Sequence, residues 1–131
     1  MGRRRGAEPR WLSLDTILAM HAVQVDRFGG SLGVLDQGAF EGAAARPRNR
    51  FHYGEGADLA DLAAACLVAF AGSHGFVDGN KRIGAAAMLV FLAINGKPLH
   101  VAQPELYGLV MDVARGRIEE SQVAAWIRGR I

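Results

Sequence analysis

A chain of 131 residues has room for one compact domain and little else. Half of its residues are hydrophobic and 21% are charged, which excludes a disordered protein. The net charge of +2 is more than accounted for by Arg3, Arg4 and Arg5, so a nucleic-acid-binding face is not demanded and direct binding of nucleic acid is not expected.

Residues 1–10 read as a mobile basic tail, followed by a single domain over 11–131. Ser13 is placed to cap a helix whose one face carries Leu14, Ile17, Leu18, His21, Val25 and Phe28 and which stops at Gly29-Gly30. A glycine-rich connector leads to Asp36, which starts a short helix expected to reach Ala45 and to end before Pro47; residues 46–56 read as an exposed loop. From Asp58 to Gly72-Ser73 the pattern is helical and strongly apolar, with Asp58 and Asp61 in the first turn where the helix dipole favours them. A second apolar helix runs from near Asn80 to Ile94 and closes on Asn95-Gly96. Being apolar nearly all round, these two form a central buried pair. Gln103–Ala114 and 119–130 supply two more helices, and only Pro98-Leu99-His100-Val101 has an extended pattern. The fold class is therefore all-α, a helical bundle around two central apolar helices.

Cys66 stands alone, which rules out an internal disulfide and a cysteine-based zinc cluster, and its apolar neighbours mark it as a buried thiol. The longest apolar stretches, Leu62–Ala71 and Ile83–Ile94, fall short of the roughly 18–20 residues of a membrane span, and no signal-peptide pattern follows the N-terminal charges. The expectation is a cytoplasmic protein without membrane contact.

The chemistry is concentrated between the two central helices, in Ser73-His74-Gly75-Phe76-Val77-Asp78-Gly79-Asn80-Lys81-Arg82-Ile83-Gly84. The N-terminus of the second helix carries unpaired N–H groups and partial positive charge. Lys81 and Arg82 nonetheless sit in that first turn, which the dipole disfavours by about 0.3–1 kcal/mol each. A polyanion at the turn rationalises the placement, and Gly79 lets the backbone approach it. Phosphate is the natural candidate: Asp78 offers a ligand for Mg²⁺, and His74 a base for an attacking hydroxyl. Taken singly, each residue also has a structural reading: Asp78 as an N-cap, His74 as a loop histidine, Lys81 and Arg82 as solvated charges. The spacing is not that of a Walker P-loop, since Gly75 and Gly79 are separated by three residues and no Ser or Thr follows Lys81.

The segment from His74 to Arg82 resembles the signature loop of the Fic/Doc family in its death-on-curing (Doc) toxin form. The resemblance extends over about residues 11–130, through Trp11-Leu12-Ser13, Arg27-Phe28-Gly29-Gly30, Asp36-Gln37-Gly38, Ala45-Arg46-Pro47, Asp58-Leu59-Ala60 and Gly116-Arg117-Ile118. It implies an all-α fold that binds ATP and Mg²⁺ at the loop. His74 would be the general base toward a protein hydroxyl and Asp78 the Mg²⁺ ligand, while Gly79, Asn80, Lys81 and Arg82 would cradle phosphate. AMP-transferring relatives have glycine in place of Lys81 and a second arginine in place of Ala85, and both departures point to the Doc branch. There the lysine is taken to exclude part of the usual phosphate site, so that ATP binds reversed and its γ-phosphate is transferred.

The implied activity is a protein kinase that arrests translation, with elongation factor Tu as the suspected target. Gly29–Pro47 would correspond to the flap that aligns the target peptide. Two further departures, Ile83 for a common threonine and Gly72 for a basic residue, read as tuning. The family's inhibitory Ser/Thr-x-x-x-Glu motif has no internal copy: Gln37, Phe51, Arg115 and Gly116 stand four residues before Glu41, Glu55, Glu119 and Glu120. An antitoxin acting in trans is therefore the expected partner. The alternatives are AMP transfer by the same loop and a non-catalytic binding module that retains the fold.

Overall fold

The computed structural model describes residues 7–131, so Arg3, Arg4 and Arg5 of the expected tail lie outside the described residues. Six helices follow in order among the described residues: α1 (Leu14–Phe28), α2 (Gln37–Tyr53), α3 (Leu59–Ala71), α4 (Asn80–Ile94), α5 (Gln103–Ala114) and α6 (Glu120–Arg128). Helices α3 and α4 form the central pair; α2 and α6 cover α3, α1 covers α4, and α5 touches both. The centre is closed by Leu62 and Leu67 of α3 with Ile83, Met88, Phe91 and Leu92 of α4, all buried. The run Ala63-Ala64-Ala65 in α3 is fully buried as well, its short side chains letting neighbouring helices approach closely.

Local signals account for most helix ends. The Ser13 hydroxyl accepts from Thr16 N–H and the Asp36 carboxylate from Ala39 N–H. Asp58 and Asp61 form a reciprocal capping box at α3. The buried Cys66 thiol is pushed up to about 12 by desolvation, so it stays protonated and inert at neutral pH.

Two expectations are corrected. Helix α2 does not end before Pro47 but continues to Tyr53, so residues 46–53 are helix rather than loop. An interior proline costs about 3 kcal/mol. Here it belongs to an apolar stripe, Phe40, Ala43, Pro47 and Phe51, all buried. Burying a side chain such as Phe51 returns about 1.5–3 kcal/mol, enough to offset the proline. Phe51 also meets the edge of Trp11, at 5.7 Å between ring centroids.

The second correction concerns residues 98–101, which form no strand; the extended pairing lies elsewhere, as a single antiparallel bridge between Val34 and Phe76. At the edge of the expected tail, Asn95 accepts from Arg10 N–H at 2.8 Å and donates to Arg10 O at 3.0 Å.

Helix α6 is clamped to the start of α3 by Arg128, which reaches both Asp58 oxygens at 2.8 and 3.1 Å and Asp61 at 3.1 Å. The Arg128 hydrogen bond holds the Asp58 carboxyl well below the usual carboxylate range. Because the folded-state value is lowered, the stabilisation is complete above the ordinary value of 3.8 and is lost as the pH falls below it. Both side chains are about half exposed, so solvent and salt screen the pair and its net worth is modest. Urea unfolding of Arg128→Ala is expected to show a stability loss at neutral pH that shrinks in high salt and narrows below about pH 4.

Candidate active site

The loop between α3 and α4 is built from the inside outward. Phe76 is buried, packs against Phe40 with ring centroids 5.1 Å apart, and stacks on the ring of His21 at 3.8 Å. Asn80, the first residue of α4, closes the loop with its amide: Oδ1 accepts from Phe76 N–H and Nδ2 donates to Phe76 O, both at 3.0 Å. Gly75 lies so close to α2 that a Cβ there would stand 2.8 Å from Phe40 Cα and 2.9 Å from Phe40 N. From the other side the connector 29–35 pairs with the loop: Leu35 N–H and Asp36 N–H donate to Gly75 O, and Val77 N–H donates to Gly33 O. The flap expected over Gly29–Pro47 is therefore divided, an extended segment up to Leu35 and then helix α2 from Gln37.

His74, Asp78, Lys81 and Arg82 all lie on the exposed side of this frame, while Gly79 and Asn80 are half-buried beneath them. Asp78 is not the N-cap of α4. That position falls to Gly79, which takes the left-handed conformation at φ 82° and provides no side-chain cap. The Asp78 carboxylate turns back to the connector, Oδ2 accepting Ser31 N–H at 2.9 Å, and Oδ1 takes no partner among the described residues. The first intrahelical bond of α4 runs from Ile83 N–H to Gly79 O, so the N–H groups of Asn80, Lys81 and Arg82 have no acceptor among the described residues. The Asn80 side chain is spent on the loop, and only its N–H is left without a partner among the described residues.

The other helices compensate their N-terminal charge, with Asp15, Asp61, Glu105 and Glu120 in first turns and Asp36 capping α2. Helix α4 has no acidic residue in its first turn and carries two cations there. Neither cation has a carboxylate within ion-pair distance among the described residues. The Arg82 guanidinium lies over the Phe28 ring at 4.7 Å, a cation–π contact that steadies it without neutralising it. The chemical outcome is an exposed helix start with three N–H groups and two cations that have no carboxylate partner among the described residues, joined to a loop that carries one imidazole, His74, and one carboxylate, Asp78.

This donor set fits a polyphosphate, and it fits Mg²⁺ as a partner of that phosphate. A single carboxylate with one open oxygen is a poor isolated metal site, and no group of three or more candidate metal ligands exists among the described residues. Mg²⁺, however, commonly takes one or two carboxylates and completes its shell with phosphate oxygens and water. A separate cavity of about 440 Å³ lies among Trp11, Ile17, Glu41, Arg48, Cys66 and Phe91, and no residue of the loop lines it.

Residues 11–92 match the Fic/DOC family. The chain belongs to the Fic/Doc family. It is 37% identical over 119 residues to the protein named Protein kinase doc of Escherichia phage P1, covering 91% of this chain and 94% of that one. It is also 49% identical over 74 residues to the protein named Toxin Doc of Mycolicibacterium smegmatis, covering 55% of this chain and 56% of that one. The all-α fold implied by the resemblance is the fold found, and among the described residues no helix is long and apolar enough to cross a membrane.

Sequence reasoning placed His21 on the buried face of α1 but gave it no part in the loop. Its Nε2 lies 2.7 Å from Asp78 O. The available signal was a histidine in an otherwise apolar helical face, since a buried imidazole requires a polar partner. Ser31 and Phe28 were also missed, because their contacts with Asp78 and Arg82 join positions 47 and 54 residues apart in the sequence. Gly75→Ala is expected to destabilise this Fic/Doc fold by about 1–3 kcal/mol in urea unfolding, because the backbone of α2 has to move to admit the methyl group.

Proposed function

We propose that this chain is the toxin of a bacterial toxin–antitoxin pair, a protein kinase that transfers the γ-phosphate of ATP to a hydroxyl on a protein target and so arrests translation. The observation that carries the reading is the start of α4: three N–H groups without an acceptor and two cations without a carboxylate partner among the described residues, all in one turn, preceded by a loop that carries His74 and Asp78. A relative that carries the name of a protein kinase, 37% identical over nearly its whole length, supports it.

In this reading the N–H groups of Asn80, Lys81 and Arg82 hold phosphate oxygens, and Gly79, having no side chain, admits them to the backbone. Arg82 stabilises the charge that develops on the transferred group. His74 takes the proton of the attacking hydroxyl as its oxygen bonds to the γ-phosphorus; the bond to the bridging oxygen breaks and ADP leaves. Mg²⁺, when bound through Asp78, would neutralise phosphate charge. Ser31 N–H holds one oxygen of the Asp78 carboxylate, and the other has no partner among the described residues. The Lys81 side chain, in the first turn of α4, narrows the phosphate site and selects the orientation of ATP that presents the γ-phosphate. Elongation factor Tu is the candidate target suggested by the family resemblance, an antitoxin supplying the inhibitory segment in trans is the partner, and the cytoplasm is the compartment.

The test uses bacterial lysate and ATP labelled on the γ- or the α-phosphate. Label transferred to protein from γ alone supports the kinase; label from α alone replaces it with AMP transfer. No transfer from either, in a lysate shown to be otherwise competent, contradicts both enzymatic readings and leaves a binding module. His74→Ala is expected to lower the transfer rate by about 10²–10⁴-fold, and Lys81→Gly to abolish transfer from the γ position.

A further inference from the structure

One buried polar group lies outside the machinery described above. His21, in the middle of α1, is 2% exposed, and its ring is held parallel to Phe76 at an interplanar angle of 9°. Its Nε2 meets the carbonyl oxygen of Asp78 at 2.7 Å. A carbonyl only accepts, so Nε2 carries the proton and donates. The same nitrogen would lie 3.5 Å from a Cβ added at Gly79. One imidazole thus holds the backbone of the carboxylate residue and closes over the left-handed turn that opens the start of α4. Gln24, one turn along α1, repeats the arrangement more weakly, its Nε2 donating to Arg82 O at 3.3 Å.

We infer that His21 is a positioning residue for the phosphate site, its Nε2–H fixing the Asp78–Gly79 peptide so that the Asp78 carboxylate and the N–H groups of Asn80, Lys81 and Arg82 converge on one bound polyphosphate. The inference rests on the nucleotide reading proposed above. The physical ground is that the peptide plane after Asp78 sets both sides of the site. Its carbonyl, locked inward by His21, leaves the following amides pointing outward, whereas a carbonyl released from His21 is free to rotate and turn its negative end toward the phosphate. A purely structural histidine would stabilise the fold without altering the affinity of the folded protein for nucleotide.

The test compares the full-length protein with His21→Phe, which keeps a flat ring against Phe76 but has no donor, and with His21→Gln, whose amide N–H extends to the position of Nε2. Mg-ATP binding is measured by calorimetry alongside thermal unfolding. The expected result is that His21→Phe binds Mg-ATP about tenfold more weakly at temperatures where it is fully folded, as for one lost buried hydrogen bond, and that His21→Gln recovers part of the loss. Unchanged affinity in His21→Phe, or no recovery in His21→Gln, overturns the proposal. Absence of Mg-ATP binding by the wild-type chain overturns the nucleotide reading and this proposal with it, whereas wild-type binding with an indifferent His21→Phe overturns the proposal alone. Should His21→Phe fail to fold, imidazole ¹⁵N spectra of the wild type decide. A proton on Nε2, with a resonance that shifts on adding Mg-ATP, supports the proposal; an Nε2 without a proton or a static resonance contradicts it.

Discussion

The architecture of this protein depends on a helix start that is left open. The first turn of α4 has no side-chain cap, no acidic residue and two cations, in a molecule whose other helices carry an acidic residue in the cap or first turn. A missing cap costs about 0.5–2 kcal/mol and each misplaced cation about 0.3–1 kcal/mol. Those penalties fall on the element at the centre of the core, where stability is most needed. A bound anion reverses every one of them at once: it accepts from the orphan N–H groups, answers the dipole and pairs with Lys81 and Arg82. The placement that is unfavourable in the free protein would thus be favourable in a complex with such an anion.

Such a turn persists because the loop behind it is fixed from four sides. Phe76 anchors it in the core, the Asn80 amide grips the Phe76 backbone, Gly75 lies against α2, and residues 33–35 pair with it from the connector. His21 adds a buried donor beneath Asp78. The polar groups that remain exposed are the ones given roles in the proposed function, so the division between frame and reagents runs through the loop residue by residue. The alternation is visible along the chain: His74 exposed, Gly75 and Phe76 buried, Val77 and Asp78 exposed, Asn80 half-buried, Lys81 and Arg82 exposed.

Local signals made most of the fold legible from the sequence. The ends of α1, α3 and α4 follow from Ser13, Asp58, the stops at Gly29-Gly30, Gly72-Ser73 and Asn95-Gly96 and helical periodicity, and the polar loop between two apolar helices identified itself by its incongruity. Helix α2 was misjudged because a proline breaks a helix only when burial does not outweigh it, and the partners that bury Phe51 and Pro47 lie far away in the chain. The Val34–Phe76 bridge and the contacts of His21, Phe28 and Ser31 were illegible for the same reason: each joins positions more than forty residues apart, and no local pattern encodes them. Asn80 is the instructive intermediate case. Its place in the loop motif was evident, but its side chain binds Phe76 rather than facing the opening, so that only its N–H is left for a ligand.

In the proposed function phosphate is held at the start of α4, and amide NMR of the backbone addresses that claim directly. On titration with Mg-ATP, the N–H resonances of Asn80, Lys81 and Arg82 are predicted to shift downfield and to gain protection from solvent exchange, as expected of donors that acquire an acceptor. Binding that leaves these three amides unchanged while perturbing resonances around the Trp11–Cys66 cavity would contradict the account.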